Sequence, residues 1–578
     1  MLAVRLNDVF AVLDGFERGT LLALVVAPGV GLAVGPIDLP ATAHACVDPF
    51  GVVAEIEAEL RPRWVMWSGE TAFALIAAGV RVATSWDIAA VHRLLFGGWQ
   101  ADPARVWALT RGLPLASLPA EIPVDLFHQG DDTAADAVTD AGYLHPSWVS
   151  GGWARNVDGL AQWASLAATV AREQQRLLAN PEVSPRSMLT ARSESTIELL
   201  CAELAADGLP LRRAMAEETI ASIIGPRPRN EVEAEQGRRD RDATVLRHVP
   251  NAADLDLRSP GQVKSLLRRA GIEVPDTRAW RLREMQDAHP VVGALLQWRK
   301  AERVATTYGY AWLDQNVAAD GRLRGSWSGC DGAAGRMTAS AGLHNMPADM
   351  RGGVVAEPGH VFVRADLGQI EPRVLAVVSG DNALAAATQD DDLYAPIATQ
   401  LGVDRATAKV AVLGAMYGQS TGRGAQVAGR LEATYPVAMR YLREADRAAQ
   451  GSRSLRTYGG RLVNVGSTNA HEVSERDHRR IAAARGRYGR NAMVQGAAAE
   501  LFKLWAVVVR ARAAALDARI VLCLHDELLV HVPEARGESA AKLVLDALDE
   551  AVHRWAPGGT VRFVAEVSVI TRWSDAKR

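Results

Sequence analysis

Three consecutive ionisable residues, His525, Asp526 and Glu527, interrupt two short apolar runs, Cys523-Leu524 and Leu528-Leu529-Val530, and Pro533 closes the second. Turns favour polar residues for backbone reasons alone. A tight hairpin has a chemical use as well: it lifts a carboxylate out of a sheet and holds it rigidly toward a metal. A second carboxylate has a related setting. In VFVRADLGQIEPRVLAVVSGD, 361–381, an apolar strand delivers Asp366 to its end, and a helix is expected from Gln369. An Asp at such a junction can equally cap the helix. Two aspartates on neighbouring strands would repel by about 4 kcal/mol at about 4 Å and an effective dielectric of about 20. Divalent cations would remove that cost, and a pair of them clamps the attacking and leaving oxygens of an in-line phosphoryl displacement. Asp366 and Asp526 are 160 residues apart, so only a fold can join them.

Between them lies DRATAKVAVLGAMYGQS, 404–420, in which Arg405, Lys409, Leu413 and Tyr417 recur at every fourth position. Each step of four turns an α-helix through about 400°, so the four share one slowly drifting face. Two cations, an apolar group and a phenol suit a triphosphate, then a sugar or base, then a stacked base. An exposed amphipathic helix with Arg and Lys stems laid along apolar surface gives the same pattern.

The surrounding elements must position these groups. A chain of 578 residues is too long for one core, which predicts two to four domains. Hydrophobic residues at 48% and charged residues at 23% are ordinary globular composition and exclude a disordered chain. Net charge is −3, so a polyanionic partner must meet a local basic surface. Cys46, Cys201, Cys330 and Cys523 lack metal-site or disulfide spacing and suit a reducing cytoplasm. The start, MLAVRLNDVFAVLDGFERG, is not signal-like, and no membrane span is expected. Residues 1 to about 180 alternate strand and helix candidates, as in TLLALVVAPGVGLAVGP and WASLAATVAREQQRLLAN, and predict an α/β domain. NPEVSPRS reads as a linker, 190–310 as helical with Ser259-Pro260 starting a helix, and 320–578 as mixed.

With these blocks in order, the chain resembles DNA-polymerase-I-type (family A) DNA polymerases. The family's motif A, DYSQIELR, corresponds to DLGQIEPR at 366–373, motif B to RATAKVAVLGAMYG at 405–418, and motif C to HDE at 525–527. AGRMTASAGLHN at 334–345 and NAMVQGAAAE at 491–500 resemble two further family blocks, and 190–310 resembles the thumb. The resemblance implies an α+β right hand of palm, fingers and thumb, preceded by an α/β exonuclease-like (RNase H-like) domain. The divisions expected are 1–185 exonuclease-like, 186–320 thumb, and 321–578 palm and fingers.

It also implies roles. Asp366 and Asp526 would hold two Mg²⁺ ions, with Mn²⁺ able to substitute, and Glu527 would shape the metal site. Arg405 and Lys409 would grip the triphosphate, Lys409 also protonating pyrophosphate. Tyr417 would sit at the fingers–palm hinge, Glu371 would crowd a ribose 2′-OH, and Leu413, Gln369 and His525 would complete the dNTP site. Arg336, Asn345, Asn491, Gln495, Arg487 and Arg461 would contact DNA, partly through the uniform acceptors of the minor groove. The implied activity is template-directed, primer-dependent DNA synthesis, by a cytoplasmic, bacterial-type and nucleoid-associated monomer whose partners are primer-template DNA and dNTPs.

Several residues depart from the family pattern. Leu413 replaces an aromatic and cannot stack, Leu367-Gly368 replace Tyr-Ser, and Pro372 follows the gate residue. His344 stands for Gln, and Tyr394 for His. In the amino-terminal region no D-x-E closes a strand near Asp14, and WSGETA (67–72) and WASLAA (163–168) occupy places where relatives carry carboxylates. Only Asp87 survives there, and a lone Asp is also a helix cap. The expectation is a degenerate exonuclease domain, synthesis without proofreading, and no 5′-nuclease domain. The basic stretches 266–272, 299–304 and 476–490 would track phosphates. Two other readings stay open: an RNA polymerase of the same superfamily, and a catalytically attenuated primer-template-binding protein derived from a polymerase.

Overall fold

The structure is a computed structural model that describes residues 15–120, 136–418, 423–466 and 475–576. Asp14 lies outside the described residues. The chain forms two compact units: Met1–Asp207 with Ser326–Thr338 and Val363–Val569, and Gly208–Gly325 with Ala339–Phe362 and Ile570–Arg578.

The amino-terminal part of the first unit is a five-stranded sheet of β1 (Leu21–Ala27), β2 (Gly31–Pro36), β3 (Thr42–His44), β4 (Arg63–Met66) and β5 (Thr84–Asp87), in the order β3-β2-β1-β4-β5. β1 runs antiparallel to β2 and parallel to β4, which is parallel to β5. The run LLALVVA is unbroken apolar because both its faces are covered. Leu22 and Leu24 pack with Val53, Ile56 and Trp64 on one face, and Ala23 and Val25 with Trp67, Trp86 and Trp163 on the other. Helix α1 (Val157–Leu178), started by the Asn156 side chain accepting from the Gly159 N–H, supplies much of the second layer. The connection after α1 coincides with the linker read from NPEVSPRS, and α2 (Ser187–Asp207) follows. α2 is buried nearly all round, and its glutamates are matched by cations. Glu194 pairs with Lys503 (2.8 Å) and Arg461 (2.7 Å), Glu198 with Arg93 (2.7 Å), and Glu203 with Arg510 (2.7 Å). Although α2 begins the stretch expected to be thumb, it belongs to the first unit, and the second starts at Gly208.

The carboxy-terminal part of this unit is built on a second sheet: β6 (His360–Leu367), β7 (Arg519–Cys523), β8 (Glu527–Pro533) and β9 (Ala565–Ile570), in the order β7-β8-β6-β9. β7 and β8 form the antiparallel hairpin expected from CLHDELLVHVP, with Cys523 opposite Leu528 and a register shift between Ile520 and Leu522. Three helices of this part, α3 (Ile370–Ser379), α4 (Arg405–Tyr417) and α5 (Pro436–Gln450), contribute to one apolar core with Leu375, Ala408, Val412 and Leu442. The long helix α6 (Glu475–Ala513) packs against α5 and α7 (Gly537–Trp555). By length and composition a stretch of α6 and its extension, Arg476–Leu516, is apolar enough to cross a membrane, a property the sequence reading did not anticipate. That apolar window is 89% buried inside the protein, as in the core helix of a globular domain.

The second unit is mainly helical. Pro260–Arg269 and Pro290–Thr307 bury Val263, Leu266, Leu295 and Trp298 in a common core. The Ser259 hydroxyl accepts from the Gln262 N–H at the start of the first of these helices, where Ser-Pro was read as a start signal.

Candidate active site

β6 carries Arg364 and Asp366 two residues apart, on the same face of the sheet. The β7–β8 hairpin closes around His525 and Asp526, with the Leu524 N–H donating to the Glu527 carbonyl (2.8 Å). The Leu367 N–H then donates to the Asp526 carbonyl (2.7 Å), tying the end of β6 to the tip of the hairpin. The two aspartates so joined repel each other. Burial first, then Asp526, Glu527 and Glu566, raise the Asp366 carboxyl to about 6 against the pull of Arg364. Asp526 reaches solvent at its tip. Its carboxyl is nevertheless raised by loss of surrounding water, by Glu527 and by Glu371, with Arg336 and Arg364 opposing. Oxygen ligands crowded into surplus negative charge are what a hard divalent cation needs, so these residues fit one.

Arg364, which the sequence reading missed, joins two of these carboxylates. Its Nε donates to Glu527 Oε1 (2.8 Å) and its Nη2 to Asp366 Oδ2 (2.6 Å). Burial works against the cation, but Glu527, Asp366 and Glu566 outweigh it and keep it charged. The signal was available: one charged residue inside an apolar strand, two positions before Asp366. Arg373 was missed too. It is fully buried and donates to the carbonyls of Gly368, Thr388, Asp390 and Asp391, pinning the ends of two loops.

Gln369 precedes α3 in left-handed conformation (φ 52°), and Pro372 is the third residue of the helix. In the first turn a missing N–H breaks no helical bond, so the proline is accommodated. Glu371, one residue earlier, is clamped from two sides. Arg336 Nη2 donates to its Oε1 (2.6 Å) and the Tyr417 hydroxyl to its Oε2 (2.6 Å). Gln495 also bonds the Tyr417 hydroxyl, whose ionisation is pushed far above its ordinary range by burial and Glu371. The His525 imidazole is shifted down by burial and by the Arg336 charge, favouring its neutral form.

On α4, Arg405 and Lys409 are exposed while Leu413 and Tyr417 are half-buried, as the drifting face requires. Leu413 packs against the helical core. Arg405 Nη2 donates to Asp392 Oδ1 (3.1 Å), which also accepts from Gln369 Nε2 (3.1 Å). Gln369 Oε1 in turn accepts from the Leu393 N–H (3.0 Å), linking α4 back to the start of α3. Gly418 ends α4 at φ 67°, and a Cβ there would meet Arg487 Cγ at 2.9 Å, so only glycine suits the position.

Other sequence candidates fall elsewhere. Arg461 is a correction: its side chain is 3% exposed and pairs with Glu194 (2.7 Å), so it has no surface to offer a phosphate. The resemblance implied a DNA contact, but the turn that precedes Arg461 is packed against α2 and α6, as Gly459 and Gly460 lie against Thr190, Ser187 and Glu500. Asn345 is exposed and belongs to the second unit. Asn491, half-buried on α6, has an Oδ1 with no hydrogen-bond partner, and Arg487 is exposed on the same helix.

The amino-terminal sheet has a different character. Trp67 of WSGETA and Trp163 of WASLAA stack at 4.6 Å, flanked by Trp148 and Trp153. Asp87 is 1% exposed, and its Oδ1 accepts from the Ala90 N–H (2.7 Å) at the start of the helix Ile88–Phe96. Burial and Glu198 raise its carboxyl to about 7, with Arg93 opposing.

Comparison with known proteins follows the same lines. The DNA polymerase I of Chloroflexus aurantiacus is 33% identical over 297 residues, covering 46% of this chain and 31% of that protein. The thermostable DNA polymerase I of Thermus thermophilus is 29% identical over 515 residues, 79% of this chain and 58% of that one. The chain thus spans about a third of the length of the first curated relatives it matches. Its fold is similar to the POL domain of Pol1 from M. smegmatis, solved in complex with DNA primer-template and dNTP, with TM-score 0.69, 21% identity, and coverage of 100% of this chain and 99% of that one. The model of DNA polymerase family A matches residues 238–575, more than half of the sequence, and the chain belongs to that family.

Proposed function

We propose that this chain extends a primer along a DNA template by nucleotidyl transfer from dNTPs. The observation that carries the reading is the pairing of Asp366 and Asp526 on joined strands, with the Leu367 N–H bonded to the Asp526 carbonyl. Family A polymerases use divalent metal ions. Asp366 and Asp526 would hold two Mg²⁺ ions, or Mn²⁺, which when bound supply the positive charge that an attacking 3′-OH and a departing pyrophosphate require. The primer O3′–Pα bond forms as the bond from Pα to the pyrophosphate oxygen breaks. Arg405 exchanges the Asp392 carboxylate for the triphosphate, and Lys409, exposed one turn on, protonates the leaving pyrophosphate. Glu371, held between Arg336 and Tyr417, presents a fixed wall to the sugar C2′ and excludes ribonucleotides. Leu413 packs under the nucleotide without stacking. Neutral His525 lies at the primer end, Glu527 shapes the metal site through Arg364, and Arg336, Asn345, Asn491, Gln495 and Arg487 contact the primer-template.

Residues 1–185 form a degenerate exonuclease-like domain without proofreading, 186–320 a thumb, and 321–578 palm and fingers, in a cytoplasmic, nucleoid-associated monomer. Buried alanines, Ala72 and Ala167, where the motifs of relatives carry aspartate, and an Asp87 occupied in capping, support that reading of the first domain. The test is primer extension with Mg²⁺ or Mn²⁺, dNTPs against NTPs. Preference for NTPs would make the chain an RNA polymerase. A second reading, an attenuated primer-template-binding protein, draws on the ion pair that already engages Asp366. It is adopted if wild type and Asp526→Ala bind primer-template equally and neither extends it.

A further inference from the structure

Arg364 is a cation standing among the carboxylates that the metal reading assigns to divalent ions. It is a guanidinium, 10% exposed, bonded at once to Asp366 (2.6 Å) and Glu527 (2.8 Å), the first on its own strand and the second on the neighbouring one. Its two bonds leave from different nitrogens, Nε and Nη2, so the planar fork spans the gap between β6 and the start of β8. The same strand position is otherwise apolar, Val363 and Ala365 flanking it in the core. A buried cation with two carboxylates at hydrogen-bond distance is a counter-ion, and one of those carboxylates is a metal ligand under the function proposed above.

We infer that Arg364 is a resident counter-ion for the catalytic carboxylates, a positioning residue that holds Asp366 and Glu527 in place before metal arrives and competes with divalent cations for Asp366. The inference rests on the metal-binding reading of Asp366 and Asp526. Two consequences follow from charge alone. With Arg364 present, the carboxylate cluster keeps its geometry without metal, because its repulsion is partly neutralised. With Arg364 removed, the cluster binds divalent ions more tightly, because one positive charge no longer opposes them. Asp366 would be shared between Arg364, bonded to its Oδ2, and a divalent ion, whereas Glu527 Oε1 would keep its bond to Arg364. That division assigns Glu527 the task of anchoring Arg364 as well as lining the site.

The test is Mn²⁺ binding to the full chain without DNA or nucleotide, read from the loss of the free-ion electron paramagnetic resonance signal. Arg364→Met keeps the apolar stem and removes the charge, Arg364→Gln is a neutral variant that keeps hydrogen-bonding capacity, and Arg364→Lys keeps the charge. At low ionic strength the Mn²⁺ Kd should fall about three- to tenfold in Arg364→Met and Arg364→Gln and stay near wild type in Arg364→Lys. In EDTA the two neutral variants should melt below wild type, and Mn²⁺ should restore most of the difference. Equal or weaker Mn²⁺ binding in the neutral variants overturns the inference, since a purely structural arginine would leave metal affinity unchanged or lower it. Should Arg364→Met fail to fold, Arg364→Gln against Arg364→Lys decides the point alone. Wild type that binds no Mn²⁺, or binds it as well after Asp366→Ala, sinks the metal reading first and this inference with it.

Discussion

At the end of β6, Asp366, Asp526, Glu527 and Glu566 crowd together with Arg364 and Arg336 as the nearby cations. At the end of β5, Asp87 is buried near the Glu198–Arg93 ion pair and accepts a backbone N–H at the start of a helix, while tryptophans of the two neighbouring motifs stack on each other. Both sheets deliver an aspartate from a strand, so strand-end geometry does not separate a reactive acid from a structural one. Each has a carboxylate neighbour, Glu198 in the case of Asp87, but Glu198 is paired with Arg93 and Asp87 is committed to the backbone, whereas several carboxylates crowd around Asp366. A cluster of carboxylates is relieved by a bound cation, whereas a buried acid that caps a helix is relieved by backbone N–H groups, a neighbouring arginine or its own proton.

Asp526→Ala should therefore cost the most, about a thousandfold or more in primer extension with melting temperature little changed. Asp87→Ala should leave extension unchanged and cost about 1 kcal/mol or somewhat more in stability, read by denaturant unfolding. If Asp87→Ala slowed extension, or abolished a nuclease activity of the wild type, the contrast between the two sheets would fail.

Trp163→Ala should destabilise the protein by about 3–5 kcal/mol, because it empties the centre of a stacked cluster. Extension per folded molecule should be retained, since the cluster belongs to the core of the amino-terminal sheet. Glu371→Ala should relax sugar selection, lowering the ratio of dNTP to NTP incorporation by about 10- to 100-fold. Tyr417→Phe should move the ratio less, as Arg336 still holds the carboxylate. Leu413→Phe should tighten nucleotide binding by a few-fold, given that base or sugar stacking is worth roughly 1–3 kcal/mol at best. Identical incorporation kinetics for Leu413→Phe and wild type would remove Leu413 from the nucleotide site.

The smallest effect is a pH dependence in EDTA. Asp366 has a folded value of about 6 against an ordinary 3.8, so the folded state holds the proton more tightly. Between about pH 4 and 6 the folded chain binds more protons than the unfolded one, and stability falls as pH rises through that window. Asp366→Asn should thus be more stable than wild type at pH 7.5, with the advantage shrinking as pH drops below 6. Mg²⁺ should abolish it. The Asp87 carboxyl is raised as well, but Asp87→Asn should show no response to Mg²⁺, which keeps the two sites apart experimentally.

Much of the second sheet could be read directly from residue order. The hairpin of CLHDELLVHVP, the strand of VFVRAD and the helix beginning near Gln369 rest on local rules of alternation, turn chemistry and capping, and so did the linker before α2 and the Ser259-Pro260 start. These are short-range effects, settled within a few residues of chain. The same rules located Asp366 and Asp526 at the ends of local elements and the four-residue row on α4, while Glu371 came from the family resemblance.

Only the tertiary structure decided which of these groups face one another and what charge surrounds them. Arg461, expected from the family resemblance to contact DNA, is sealed against Glu194 from a helix more than 250 residues earlier. Pro372, a residue type that breaks a helix deeper in, sits in the first turn of α3, with Glu371 locked by Arg336 and Tyr417 from two distant segments. Arg364 announced itself as a charge in an apolar strand, yet its meaning depended on Glu527 arriving from the next strand. Burial and Coulomb energy depend on distances in space, and sequence separation carries almost no information about those until the chain has folded.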